Sequence, residues 1–302
     1  MRSPILFLIF NRPDVTQRVF DAIRQARPPK LYIAADGPRK DRAGEAEQCK
    51  ATQDIASKVD WPCEVSKLFR EENLGCKIAV SGAIDWFFSQ EPEGIILEDD
   101  CLPHPDFFPY CDELLEKYRD DERVGVISGD NFQNGIRRGD GDYYFSQFCH
   151  IWGWASWARA WKKYDVNLNQ WPKLKSKDWL SSLGFSRAET NYWRKKFDRV
   201  YSKRQDTWDY QWTFACWFHN MLAVMPNTNL ISNIGFGHQA THTTAESIYA
   251  NMAINPLNFP LQHPSQVTKN IDADRYTSKH MFSSSIWRRI FGKLKACLGI
   301  RL

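Results

Sequence analysis

The sequence predicts an α/β fold with a mostly parallel β-sheet and helices on both faces of the sheet. Three apolar runs, residues 4–10, 31–35 and 94–97, are too short for typical helices and are expected to be buried strands. Residues 14–25 and 76–89 carry apolar side chains at helical spacing. Strands that alternate with helices in this way form parallel sheets covered on both sides.

The alternation continues between the second and third runs, with a polar helix at about residues 43–59 and a strand at residues 63–69. The pattern changes after residues 124–129, and ten of the 13 Trp fall between Trp152 and Trp217. Such a density of Trp indicates either the aromatic walls of a sugar site or ordinary packing in an irregular second half.

Composition and charge exclude several classes of protein. The 302 residues suit one large domain or two small ones, and 43% hydrophobic with 25% charged residues is typical of a globular protein. Seven Lys/Arg and no acids lie in residues 275–302, which leaves 33 basic and 36 acidic residues upstream. A nucleic-acid-binding domain carries its basic excess on the folded surface, so this distribution argues against one. The eight Cys form no C-x-x-C pair and are expected to be free thiols.

Polar residues follow three of the predicted strands at the point where each strand ends. These residues are Asn11 and Arg12, Asp36 and Gly37, and the triplet Glu98, Asp99 and Asp100. Ligands of such sheets bind outside the carboxyl ends of the strands, so the three groups predict one site that could hold a nucleotide. The motifs G-x-G-x-x-G and G-x-x-x-x-G-K-[ST] are absent, which disfavours NAD enzymes and P-loop nucleotide hydrolases.

The acidic triplet Glu98, Asp99 and Asp100 has two interpretations. Adjacent carboxylates repel one another unless a cation or hydrogen-bond donors compensate their charge. Mg²⁺ or Mn²⁺ is commonly held by one or two carboxylates together with substrate phosphates, so a single protein ligand is enough. The alternative is a solvated acidic turn after a strand.

The region around this triplet resembles the metal motif of GT-A glycosyltransferases, most closely the N-acetylglucosaminyltransferase I group. That group carries an acidic triplet followed by proline, aspartate and two phenylalanines, the residue types of Pro105-Asp106-Phe107-Phe108. The resemblance covers about residues 4–242. It implies a fold of GT-A type and a Mn²⁺ or Mg²⁺ cofactor.

The resemblance also implies roles for individual residues. On the donor side, Arg12 is assigned to a phosphate of the nucleotide and Asp36 to its nucleobase. Glu98 and Asp99 are assigned to donor binding, and Asp100 to the metal. The acceptor side is assigned Trp152, Trp154 and Trp208. His242 is a further candidate for contact with the metal or diphosphate, with a structural histidine as the alternative.

The catalytic base is expected in the segment that resembles the family's tryptophan-aspartate motif. The family places two residues between its two tryptophans, whereas Trp208 and Trp212 enclose three. Asp209 is the first choice and Asp206 the second, and a helix N-cap is the structural alternative for either.

These assignments imply a metal-dependent glycosyltransferase that moves a sugar from a nucleotide-diphosphate donor, by resemblance a UDP-sugar, to a glycan or lipid-linked acceptor. Single displacement with inversion is the expected mechanism. One alternative is a non-catalytic nucleotide-sugar or carbohydrate-binding protein on the same fold. A sugar nucleotidyltransferase is disfavoured because no glycine-rich basic loop follows the first strand.

The predicted organisation has a nucleotide-sugar-binding half at residues 1–130 and an acceptor-binding half at residues 131–245, followed by an extension at residues 246–282. Residues 283–302 predict a basic amphipathic helix with an apolar stripe, formed by Trp287, Ile290, Phe291, Leu294, Leu298 and Leu302. Such a helix favours an anionic membrane surface, with docking on the protein itself as the alternative. No signal peptide is recognised at the N-terminus, so the expected location is cytoplasmic, peripheral on the inner face of the membrane.

Overall fold

The computed structural model describes residues 1–236 and 249–282. A central sheet of eight strands organises this part of the chain. Its strands are β1 (Ile5–Ile9), β2 (Lys30–Ala35), β3 (Glu64–Phe69), β4 (Glu93–Glu98), β6 (Val124–Ser128), β7 (Tyr143–Ser146), β8 (Trp154–Trp157) and β9 (Leu222–Pro226). A separate antiparallel pair is formed by β5 (Cys101–Pro103) and β10 (Ile231–Asn233).

The strand order of the large sheet is β3-β2-β1-β4-β8-β6-β9-β7. Strands β3, β2, β1 and β4 are parallel neighbours, and β6 and β9 run in the same direction as these four. Strands β8 and β7 run in the opposite direction. The prediction of a mostly parallel sheet is therefore confirmed.

The helices and helical turns are α1 (Pro13–Ala26), α2 (Glu45–Ala56), α3 (Gly75–Phe88), α4 (Phe107–Lys117), α5 (Ala158–Trp161), α6 (Trp171–Ser176), α7 (Trp179–Ser182), α8 (Arg187–Tyr201), α9 (Asp209–Phe218) and α10 (Ile271–Thr277). A π-helical turn, Ser278–Phe282, follows α10 directly. The helices predicted at residues 14–25 and 76–89 correspond to α1 and α3.

The helices cover both faces of the sheet, as the alternation of strand and helix predicted. Side chains of β1 alternate between two hydrophobic cores because successive residues of a strand point to opposite faces. Phe7 packs in the core that contains residues of α1, α2 and α4. Leu6 and Leu8 pack in the core that contains residues of α3, α8 and α9.

Two parts of the sequence prediction lie outside the described residues. They are the basic amphipathic segment predicted at residues 283–302 and the candidate metal contact His242, which falls in residues 237–248. Within the described ranges, no helix is both long and apolar enough to cross a membrane. The seven cysteines of these ranges are free thiols.

Candidate active site

The polar residues predicted at the strand ends line one cleft of about 500 Å³, a size typical of small-molecule sites. Arg12 follows β1, Asp36 follows β2, and the acidic triplet begins at the end of β4. These three strands are parallel neighbours, so their carboxyl ends meet at one edge of the sheet. The structure therefore brings the donor-side residues of the sequence prediction together.

Arg12 joins two carboxylates of the acidic triplet. Its Nη2 donates to Asp99 Oδ1, and its Nη1 donates to Asp100 Oδ2 over 3.0 Å. Arg12 is the N-cap residue of α1, and Pro13 occupies the first turn, where its lack of an N–H removes no hydrogen bond of the helix. Arg12 thus compensates part of the triplet's charge, and its contact with a phosphate stays a prediction.

The charge of the triplet is compensated only in part. Burial, followed by the charges of Asp100 and Asp99, raises the pKa of Glu98 well above its usual range. Burial also raises the pKa of Asp99, although the neighbouring Arg12 opposes this shift. The local field at this edge of the sheet therefore favours an additional cation.

The pair of β5 and β10 brings a second segment of the chain over Asp100. The backbone N–H of Ile234 donates to the carbonyl of Asp100 over 2.8 Å. A side chain on Gly235 would clash with the Asp100 carboxylate and the Arg12 guanidinium, so glycine permits this close approach. Phe236 then continues along the wall of the cleft.

The residues of the cleft fit a divalent cation that is held jointly with a substrate. Among the described residues, no three His, Cys, Asp or Glu side chains converge as a ready-made metal site. The described lining nevertheless has six carboxyl groups against three guanidinium groups, so a further cation would favour the binding of an anionic nucleotide. Asp100 lines the cleft with 14% of its side chain exposed. One carboxylate completed by substrate phosphates and water is a common Mg²⁺ arrangement.

Asp36 also has a structural partner. Its carboxylate accepts hydrogen bonds from the backbone amides of Gly37, Leu74 and Gly75, over distances of 3.0 to 3.1 Å. These bonds hold the loop that leads into α3. Asp36 therefore stabilises the loop that lines this part of the cleft. Its contact with the base of a nucleotide stays a prediction.

Arg70, beside Asp36, was not identified from the sequence. Arg70 immediately follows β3, so the rule that located the other strand-end residues applies to it as well. Its Nη1 donates to the carbonyl of Ala79 over 3.1 Å, and burial lowers the pKa of its guanidinium. With Asn73, it gives this end of the cleft donors for a ligand's oxygen atoms.

Asp206 and Asp209 have different surroundings, although both line the cleft. Asp206 accepts hydrogen bonds from the backbone amides of Cys76 and Lys77 in the first turn of α3. A carboxylate at this position satisfies amides that lack partners within the helix. Asp206 therefore has the structural role, as a cap for a helix distant in sequence.

Asp209 is the first residue of α9, and among the described residues no backbone amide of another helix donates to its carboxylate. Its Oδ1 accepts a hydrogen bond from the hydroxyl of Thr207. Burial raises the pKa of its carboxyl group, against the stabilising effect of this hydrogen bond. A carboxylate with a raised pKa that faces a cleft suits proton abstraction.

The three tryptophans assigned to an acceptor occupy different positions. Trp152 lines the cleft and contacts Phe236 edge to face, with ring centroids 5.7 Å apart. Trp208 also lines the cleft, although 97% of it is buried. Trp154 is fully buried and stacks behind Trp208 at 5.8 Å. The structure therefore does not bring Trp154 to the cleft surface.

Most of the Trp-rich half belongs to the core. Of the ten Trp between residues 152 and 217, only Trp152 and Trp208 line the cleft. Trp154, Trp161 and Trp212 pack on one another in the core behind it. Ordinary packing is thus the better interpretation of the composition, and the aromatic wall is restricted to a few side chains.

No protein-family model matches the sequence, and the search of curated proteins gave no relative. Among solved structures, mouse xyloside xylosyltransferase 1 is 11% identical, with 74% of this chain and 84% of that chain covered and a TM-score of 0.35. Residues 1–349 of S. aureus TarS are 9% identical, with 56% and 51% covered and a TM-score of 0.37. A cytidylyltransferase from Leptospira borgpetersenii is 12% identical, with 58% and 72% covered and a TM-score of 0.34. Because these TM-scores are below 0.5, the similarities carry no argument about function. The function of this chain is inferred from the chemistry of its own cleft.

Proposed function

We propose that the protein is a metal-dependent glycosyltransferase of GT-A type that uses a nucleotide-diphosphate sugar. The observation that carries the proposal is that Arg12, Asp100 and Asp209 line the same cleft at the carboxyl ends of the parallel strands. This arrangement combines groups suited to a diphosphate with a carboxylate suited to an acceptor hydroxyl. The donor expected from the sequence is a UDP-sugar, and the acceptor is a glycan or a lipid-linked sugar.

The donor side must stabilise negative charge as the diphosphate leaves. Asp100 is the residue that would hold Mn²⁺ or Mg²⁺, and the planar guanidinium of Arg12 matches phosphate oxygens. A bound divalent cation would supply charge neutralisation on the departing diphosphate. Glu98 and Asp99 support this site, with Asp99 holding the Arg12 guanidinium in place.

The acceptor side needs a general base, and Asp209 is that base in our proposal. Its carboxylate takes the proton of an acceptor hydroxyl while the hydroxyl oxygen bonds to the anomeric carbon. The bond from that carbon to the diphosphate oxygen breaks in the same step, and the electron pair leaves with the diphosphate. Attack on the opposite face inverts the configuration at the anomeric carbon.

Trp152 and Phe236 would form the wall that receives the sugar. Their rings lie at one side of the cleft, and aromatic rings pack against the apolar faces of sugars. Trp208 contributes to this wall from a more buried position.

His242 stays a candidate for a metal or diphosphate contact, and segment 283–302 stays a candidate for contact with the inner face of a membrane.

Slow hydrolysis of the nucleotide-sugar donor in the absence of an acceptor tests the proposal. The full chain is incubated with radiolabelled UDP-, GDP- and CDP-sugars, with and without Mn²⁺, next to the Asp209→Asn variant. We expect Mn²⁺-dependent release of sugar from one nucleotide class, and loss of this release in the variant. Metal-dependent binding without release would favour the alternative of a non-catalytic nucleotide-sugar-binding protein. Absence of binding to all three donor classes would contradict the proposal.

A further inference from the structure

The helical segment that precedes Asp209 is strongly basic. Residues 171–204, which include α6, α7 and α8, contain ten Lys/Arg and three Asp/Glu. The other residues up to position 274 contain 23 Lys/Arg and 33 Asp/Glu. The folded body is therefore acidic apart from this one segment, whose net charge is +7.

Much of this charge lies in one row along α8. Arg187, Asn191, Lys195 and Arg199 are four residues apart and exposed, and exposed Lys203 lies just beyond the helix end. Residues at this spacing share one helix face. At 1.5 Å per residue, the row from Arg187 to Arg199 is about 18 Å long. We name these five residues the α8 ridge.

The four cations of the α8 ridge lack ion-pair partners among the described residues. Within residues 1–236 and 249–282, none of the four has a carboxylate partner at ion-pair distance. The acids nearby are engaged elsewhere: Asp178 pairs with Arg194, and Asp198 pairs with Lys175. The side chain of Glu189 is used in the capping box at the start of α8. The ridge therefore presents uncompensated positive charge to an external partner.

The last described residue packs on the same helix, and a second basic segment follows it in sequence. The described chain reaches Phe282, whose ring packs on Tyr192 and Trp193 of α8 at 5.5 and 4.9 Å. Residues 283–302 follow in sequence, with five Lys/Arg and no acids. The amphipathic pattern of that segment favours a lipid surface. The sequence thus carries a second element that favours anions directly after a residue that packs on α8.

We propose that the α8 ridge is a contact surface for an anionic lipid bilayer. An exposed row on a convex helix fits a flat charged surface, whereas a bound glycan chain would need a concave site with convergent polar groups. Lys203 lies three residues before Asp206, whose carboxylate caps α3 at the cleft. Contact with lipid here would bring a lipid-linked acceptor to the Asp209 side of the cleft. That consequence rests on the proposed function, but the membrane contact itself does not.

Co-sedimentation of the full chain with vesicles tests the proposal. The vesicles are equimolar phosphatidylglycerol and phosphatidylcholine, with pure phosphatidylcholine as the neutral comparison. The ridge variant combines Lys195→Glu, Arg199→Glu and Lys203→Glu. A matched control combines Arg18→Glu, Arg42→Glu and Lys58→Glu, three exposed cations on or beside α1 and α2, which pack on the other face of the sheet.

Each basic residue beside an anionic surface strengthens binding about fivefold, so the ridge variant should bind at least about tenfold more weakly than the native chain. The control variant should stay close to native binding. Equal binding by the native chain and the ridge variant, or an equal loss in both variants, would overturn the proposal. So would ridge-dependent binding to soluble alginate without ridge-dependent binding to vesicles.

Two further measurements keep the result unambiguous. Circular dichroism melting checks that both variants fold, and a milder set with Gln at the three ridge positions should show a smaller loss in the same direction. Donor hydrolysis in solution should be unchanged in the ridge variant. Loss of vesicle binding with intact hydrolysis supports the α8 ridge as the membrane contact. Absence of hydrolysis in the native chain counts against the proposed function alone.

Discussion

The carboxylate of Asp206 lies 2.9 Å from the backbone amide of Cys76, in the first turn of α3. It is also 3.0 Å from the amide of Lys77. Asp206 therefore stabilises a helix that lines the cleft, which favours Asp209 as the base in our proposal. This difference separates two residues that the sequence offered as alternatives.

Substitution by asparagine should lower turnover at position 209 and stability at position 206. Asp209→Asn should lower turnover by at least about 100-fold with nearly unchanged donor affinity, because it removes the base. Asp206→Asn should lower the free energy of unfolding by about 1 kcal/mol, because it removes the negative charge and one of the two oxygens that accept from the amides of α3. Turnover, donor affinity and thermal unfolding are measured for both. A large loss of turnover from Asp206→Asn with an intact fold would reverse the assignment.

Arg12→Ala should be strongly destabilising. It leaves Asp99 and Asp100 without their partner, and removing one partner of a buried ion pair costs about 3–5 kcal/mol. Adding Asp99→Asn to Arg12→Ala should restore part of the loss, because the uncompensated charge is removed. Denaturant unfolding of the single and double variants measures this coupling. Additive losses would show that the two side chains act independently.

The pH dependence of turnover follows from the burial of Asp209. Burial raises the pKa of this carboxyl group, and a base must be deprotonated to act. Activity should therefore fall as pH decreases through a value above the ~3.9 of a free aspartate. The acidic limb of kcat/KM locates this value, with circular dichroism at each pH to confirm folding. A flat profile down to the ordinary aspartate range would argue against Asp209 as the base.

Trp152 and Trp154 should respond differently to truncation. Trp152→Ala should raise KM for the acceptor and leave donor hydrolysis intact, since its ring lines the cleft. Trp154→Ala should instead destabilise the fold by about 3–5 kcal/mol, because a fully buried ring is removed. Acceptor kinetics and thermal unfolding distinguish the two outcomes. An unchanged acceptor KM in Trp152→Ala would remove this residue from the acceptor wall.

Local patterns were enough to predict the parallel half of the sheet. Strands β1, β2 and β4 are short apolar runs that end in polar residues, so both their burial and the site at their ends follow from the sequence. The insertion of β8 between β4 and β6 depends on pairing between distant residues, for which the sequence has no local signal.

The structural roles of Asp36 and Asp206 could not be predicted for the same reason. Asp36 binds an amide 38 residues away, and Asp206 binds one 130 residues away. Nothing in the neighbouring residues marks such contacts. The density of Trp was also ambiguous, because the sequence does not distinguish a Trp that packs in the core from a Trp that faces a ligand.

In the proposed mechanism, Asp100 and the donor phosphates together hold a divalent cation. Calorimetric titration of UDP into the full chain, with and without Mn²⁺, tests it in the native protein and in Asp100→Asn. We expect Mn²⁺ to strengthen UDP binding by at least about tenfold in the native chain, and we expect this gain to disappear in the variant while its fold persists. An equal gain from Mn²⁺ in both proteins, or none in the native chain, would contradict it.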